Sequence, residues 1–192
     1  MTFLINLWIF YSIDYIIAYS TQMWANRKRG EPFDDPEFLF SDKKIVVIAL
    51  LWLFGGLVIS IFVPVNLGLL FYIGFPLNIL GLVIGELSMY SFAHNKGLTT
   101  SRIHRYSRNP IYVGTTIMYL GLTLMGWSKS IWSIIFFIYF IVTIPYFHWT
   151  VLLEESFLIK KYRDAYQQYL KKTPRYLGIP KKGTGISSQD NN

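Results

Sequence analysis

Apolar positions in this chain run together in blocks too long for the core of an ordinary soluble domain, and polar residues gather in the short segments between them. Five blocks stand out, at 3–24, 45–63, 67–92, 111–127 and 131–153. Each approaches the about 20 residues that a helix needs to cross bilayer hydrocarbon. The pattern predicts an all-α polytopic membrane protein with five transmembrane helices. The first block is read as a span and not a signal peptide: it lacks a basic leader, contains Asp14, and is followed by Arg27, Lys28 and Arg29 instead of a small-residue cleavage site.

Within the third span, Pro76 removes a backbone donor and predicts a kink, and Gly81 and Gly85 have the small-xxx-small spacing of close helix contacts. Residues 126–130 join the last two spans, short enough to require an antiparallel hairpin. That hairpin brings the residues before Ile111 beside those after Leu153. The longer fifth span is expected to tilt or bend, with Pro145 as the candidate position. Beyond it, 154–172 continues as a cytoplasmic amphipathic helix, with Phe157, Leu158, Tyr162, Tyr166 and Tyr169 on one stripe, expected to lie along the membrane surface. Pro174 ends it. Residues 1–180 form one membrane-embedded domain in this reading, and 181–192 a disordered tail.

Charge then orients the spans. Of 18 Lys and Arg residues, all but Lys129 fall in segments on one side of the five spans. The positive-inside rule predicts an outside N-terminus and a cytoplasmic C-terminus, with the active site also cytoplasmic. The net charge of +7 is thereby explained without nucleic acid. The absence of cysteine excludes disulfides, a thiolate metal site and a cysteine nucleophile; no metal is expected. No internal repeat suggests a transporter.

Two polar clusters meet at the cytoplasmic mouth of the hairpin: the segment 99–114 and the pair Glu154-Glu155. Pro110 suits a first helical turn, whose free backbone donors favour an anionic or hydroxyl-rich ligand. Glu154 is placed near Tyr112 and Asn109, where a carboxylate suits a ribose diol or an ammonium. Arg108-Asn109-Pro110-Ile111-Tyr112-Val113-Gly114, followed by Glu154-Glu155, Tyr166, Tyr169 and Pro174-Arg175, resembles the signature of the isoprenylcysteine carboxyl methyltransferases and their phospholipid methyltransferase relatives. The resemblance spans about residues 96–178.

It implies an S-adenosyl-L-methionine-dependent methyltransferase that releases S-adenosyl-L-homocysteine. By position it assigns cofactor binding to Lys96, Gly97, Leu98, Thr99, His104, Asn109, Pro110, Ile111, Tyr112 and Glu154. Asn109 stands where histidine is commoner, Arg102 where glycine is usual, His104 where tyrosine is usual, and Thr150 where the prenylcysteine enzymes have a carboxylate-binding arginine.

The expected acceptor is a lipophilic or prenylated molecule entering from membrane lipid. Carboxyl O-methylation of an isoprenylcysteine-like acceptor is the expected reaction, because that carboxyl is already ionised and needs no base; the alternative, N-methylation of a phospholipid amine headgroup, would need one. Catalytic candidates are His148 and Glu86, the latter in the cytoplasmic half of its span. Asp14 is expected to be structural. An NADPH-dependent sterol-reductase-like enzyme and a non-catalytic membrane protein are the remaining alternatives.

Overall fold

The computed structural model describes residues 5–33 and 43–180. The expected disorder of 181–192 and the first residues of the first block lie outside them. Among the described residues five α-helices follow in order: α1 (Trp8–Arg29), α2 (Lys43–Ile61), α3 (Leu69–Ala93), α4 (Pro110–Met125) and α5 (Ile131–Lys172), with a 3₁₀ turn at Arg102–Arg105 between α3 and α4. Among the described residues the remaining ladder contact is an isolated bridge between Asn6 and Pro64.

Three of these helices, α2, α3 and α5, are long and apolar enough to cross a membrane. At 16 residues, α4 is apolar but spans only about 24 Å. α1 carries Asp14, Gln22 and Asn26 between its apolar residues. The outer faces of α2 and α3 leave Leu51, Phe54, Leu69 and Tyr72 more than half exposed, a surface suited to lipid.

α3 and α4 pack closest, because glycines remove the side chains that would hold them apart. A Cβ on Gly81 would lie 2.5 Å from the Gly114 carbonyl oxygen, and one on Gly114 2.6 Å from that of Gly81. Gly74 and Gly121 repeat the arrangement one contact further along. Gly85 behaves differently: a Cβ there meets nothing within 4 Å, so its partner in the small-xxx-small pair makes the contact while Gly85 opens onto a cavity.

At the middle of the bundle, the Tyr119 hydroxyl lies 2.9 Å from those of Tyr11 and Tyr15 and 3.4 Å from that of Tyr139. Tyr139 donates to the Trp52 carbonyl of α2 at 2.7 Å, and Gly56 leaves room for the ring ends. Asp14 is buried and accepts from the Asn78 side chain at 2.7 Å, linking α1 to α3. This partner gives the carboxyl a hydrogen bond inside the bundle.

The interruption of helical backbone in α5 falls at Arg163 (φ 45°, ψ −120°). There the chain turns back, so that Tyr166 and Tyr169 become buried. The apolar stripe from Phe157 to Tyr169 lines a cavity against the loops before α4.

Candidate functional site

The start of α4 is held by a buried ionic clamp. Arg108 reaches Glu155 Oε1 through Nη2 (2.9 Å) and Nε (3.2 Å), while Arg175 reaches Oε2 through Nη2 (2.9 Å) and Nε (3.1 Å). Arg108 Nη1 also donates to the carbonyls of Leu170 and Thr173, satisfying acceptors at the end of α5. Burial acts to raise the Glu155 carboxyl pKa, but the Arg175 and Arg108 guanidiniums outweigh it and hold the group below the usual carboxylate range. Hydrogen bonding to Glu155 raises Arg175 in turn.

The segment after α5 straps over this clamp. Arg108 N donates to the Pro174 carbonyl at 3.0 Å, and Gly178 N to that of Tyr106 at 3.1 Å. Asn109 is the residue before α4, yet its side chain does not cap the helix. Its amide donates to Glu155 Oε1 (3.3 Å) and to the Arg175 carbonyl (3.1 Å).

Inside the strap lies a cavity of about 270 Å³. One wall is Gly97, Leu98 and Thr99, set in place by Arg29 from the end of α1. That guanidinium donates to the Gly97 carbonyl (2.6 Å), the Thr99 hydroxyl (3.2 Å) and the Phe92 carbonyl (3.3 Å), and stacks 3.9 Å from the Phe92 ring centre. Gly97 has φ 70°, a left-handed conformation that suits glycine. A second wall is His104, whose carbonyl accepts from the Tyr169 hydroxyl at 2.6 Å and whose Nε2 lies 3.2 Å from Ser88 Oγ. Burial lowers the His104 pKa to about 4, so the imidazole is neutral at physiological pH. Phe157, Leu158, Lys161 and Tyr162 of α5 close the far side.

Glu154 lies about 100° around the helix from Glu155 and takes a different partner. Its Oε1 accepts from the Tyr112 hydroxyl at 2.9 Å. Both residues border the first cavity and also a second one of about 250 Å³ that lies among the helices. This second cavity is lined by Asp14 and Gln22 of α1, Trp52 of α2, Gly85 and Glu86 of α3, and Phe147 of α5, among others. The Tyr112–Glu154 pair therefore stands at the partition between a loop-side and a bundle-side chamber.

Nine of the ten residues assigned to cofactor binding border the loop-side cavity: Gly97, Leu98, Thr99, His104, Asn109, Pro110, Ile111, Tyr112 and Glu154. Lys96 is exposed and does not line it. Glu86 borders the bundle-side cavity, whereas His148 lines neither and pairs through Nδ1 with the Tyr176 hydroxyl at 2.6 Å. Thr150 donates to the Tyr146 carbonyl. Arg102, at a position where glycine was expected, adopts φ 56° and lays its guanidinium 4.6 Å from the Tyr90 ring centre.

Sequence reasoning missed Arg29, Phe33 and Ser88. Arg29 was counted only as an orienting charge, and nothing in its surroundings marked it as a strut. Phe33 borders both cavities from the segment just beyond α1, a proximity that only folding creates.

The phospholipid methyltransferase family profile matches residues 61–165. The chain is also similar to protein-S-isoprenylcysteine O-methyltransferase of the fission yeast Schizosaccharomyces pombe, with 36% identity over 83 residues, 43% of this chain. The match covers 33% of that relative's length. No solved structure matches the chain significantly.

Proposed function

This chain belongs to the phospholipid methyltransferase family, and from that premise we propose that it is an integral membrane enzyme transferring a methyl group from S-adenosyl-L-methionine to a lipophilic acceptor. The observation that carries the reading is the pair of cavities meeting at Tyr112 and Glu154. A transfer between a water-soluble donor and a lipid needs two chambers of different character that share one boundary.

The loop-side cavity suits the donor. Phe92 and Tyr162 offer aromatic surface for a purine, and Glu154 offers carboxylate acceptors for a ribose diol. Lys161 supplies a positive charge at the same cavity for an amino-acid carboxylate. The bound cofactor contributes an electrophilic sulfonium methyl. The protein aligns the two reactants and excludes water, with Tyr112 and Glu154 orienting groups on both sides.

Five crossings, with the N-terminus outside and the loop-side cavity cytoplasmic, are supported by the one-sided basic residues and by the hydroxyl cluster that joins α1, α4 and α5. Residues 1–180 then act as a single membrane-embedded domain. Cysteine labelling at Ser130 and Ser187 tests the topology, since the chain has no native thiol; labelling of both from one side refutes it.

The fission yeast relative's name supports carboxyl O-methylation of an isoprenylcysteine-like acceptor. The charge of the bundle-side cavity favours a second reading, N-methylation of a lipid amine: it is lined by Asp14, Glu86 and Glu154 with no lysine, arginine or histidine among its described residues. The test of the overall function is titration of the purified protein with S-adenosyl-L-homocysteine, followed by tritiated-methyl transfer to an extracted lipid pool and to a small prenylcysteine. Absence of homocysteine-conjugate binding refutes the methyltransferase reading. Nicotinamide binding in its place supports the reductase alternative.

A further inference from the structure

We propose that the bundle-side cavity is the acceptor site and that Glu86 within it holds the reacting nitrogen of an amine-bearing lipid and takes up its proton. The proposal rests on the methyltransferase reading and follows its nitrogen branch.

The position of the cavity comes first. It shares Phe33, Ile111, Tyr112 and Glu154 with the loop-side cavity, so a molecule filling it abuts whatever fills the other. Its apolar and aromatic wall is formed by Trp52, Leu82, Met118 and Phe147, drawn from α2 to α5. Such walls suit acyl chains or another hydrocarbon tail. At Gly85 the absence of a side chain keeps the chamber open beside Glu86.

Its charge comes second. From α1 the cavity is faced by Asp14, Tyr15 and Gln22, from α3 by Glu86, and from α4 and α5 by Tyr112, Thr115 and Glu154. Asp14 is committed to Asn78, and Glu154 to Tyr112. Glu86 is half-buried and hydrogen-bonded by the Thr21 hydroxyl, which leaves a carboxyl with two oxygens and four lone-pair sites further acceptor capacity. A carboxylate acceptor brought here would meet Asp14 and Glu86 in a cavity whose described lining holds no lysine, arginine or histidine. An ammonium would be attracted, and a carboxylate beside it is the base that an amine nucleophile requires.

The step balances without any further reactant. An ammonium N–H proton passes to a Glu86 carboxylate oxygen, freeing the nitrogen lone pair. That pair forms the new N–CH₃ bond as the S–CH₃ bond breaks, and the electrons of the broken bond remain on sulfur in S-adenosyl-L-homocysteine. The proton on Glu86 leaves to solvent before the next turnover.

The test compares wild type, Glu86→Gln and Glu86→Asp in nanodiscs containing phosphatidylethanolamine, with a farnesylated cysteine as the competing acceptor. The expected result is methyl transfer to the amine lipid by wild type, at least a tenfold fall in kcat for Glu86→Gln, and partial recovery in Glu86→Asp. S-adenosyl-L-homocysteine affinity should stay within about twofold in both variants, which also reports that they are folded. The wild-type rate should fall on acidification along a limb that the Gln variant lacks. Wild-type turnover of the amine lipid by Glu86→Gln overturns the proposal, as does transfer confined to the farnesylcysteine carboxyl as a base-labile ester. In both of those outcomes cofactor binding persists and the methyltransferase reading stands; loss of cofactor binding in wild type overturns both.

Discussion

The adjacent residues Glu154 and Glu155 should fail in different ways when each is changed to glutamine. Glu155 is 6% exposed and faces Arg108, which is 8% exposed, and Arg175, which is 38% exposed. Removing one charge from a buried ion pair costs about 3–5 kcal/mol, because the partner is left uncompensated. Arg175 reaches water, where an ion pair contributes only about 0–1 kcal/mol, so the lower end of the range, about 3 kcal/mol, applies. At about 2–4 °C per kcal/mol for a chain of this size, Glu155→Gln should melt about 6–12 °C below wild type. Glu154 lies outside the Arg108–Arg175 clamp and accepts from the Tyr112 hydroxyl. Its glutamine variant should melt near wild type but lose a charge-assisted bond of ~1.5–3 kcal/mol to the ligand, about ten- to a hundredfold in S-adenosyl-L-homocysteine affinity. Thermal unfolding in detergent and calorimetric titration, run on the same two preparations, separate the effects. The reasoning is refuted if Glu155→Gln melts with wild type, or if Glu154→Gln binds with wild-type affinity.

Arg102→Gly should be more stable than Arg102→Ala by about 1 kcal/mol in parallel melts, since both lose the stacking on Tyr90 but only alanine keeps a Cβ at φ 56°. Gly81→Ala should destabilise by about 1–3 kcal/mol, because its Cβ meets the α4 backbone. Gly85→Ala should melt like wild type but raise the KM for the lipid acceptor by narrowing the bundle-side cavity. His104 stays neutral when folded down to about pH 4, whereas the unfolded side chain takes a proton below its ordinary value of 6.5. Its contribution to stability is therefore complete above pH 6.5 and declines as pH falls toward 4, by about 2 kcal/mol at pH 5. His104→Gln should show a shallower fall in melting temperature between pH 7 and 5, and an unchanged slope would count against the buried, neutral imidazole.

The order and approximate limits of the helices were legible in the sequence because hydrocarbon thickness and backbone hydrogen bonding impose long apolar runs, and these are local properties. The pairing of Tyr112 with Glu154 was also legible: the five-residue link at 126–130 constrains the hairpin, and the spaced motif independently marks both residues. What the sequence could not decide was the division of labour between the two glutamates. Both are acidic and adjacent, and only the packing of the strap at 173–178 turns Glu155 into the clamp and directs Asn109 toward it. Arg29 and Thr99 are 70 positions apart, so their contact has no local trace. The turn at Arg163 is likewise tertiary. A left-handed arginine is unfavourable by itself and is maintained by the burial of Tyr166 and Tyr169 against the loop before α4. Local composition determined which segments are helices, and long-range packing decided which of their polar residues face a ligand and which hold the walls apart.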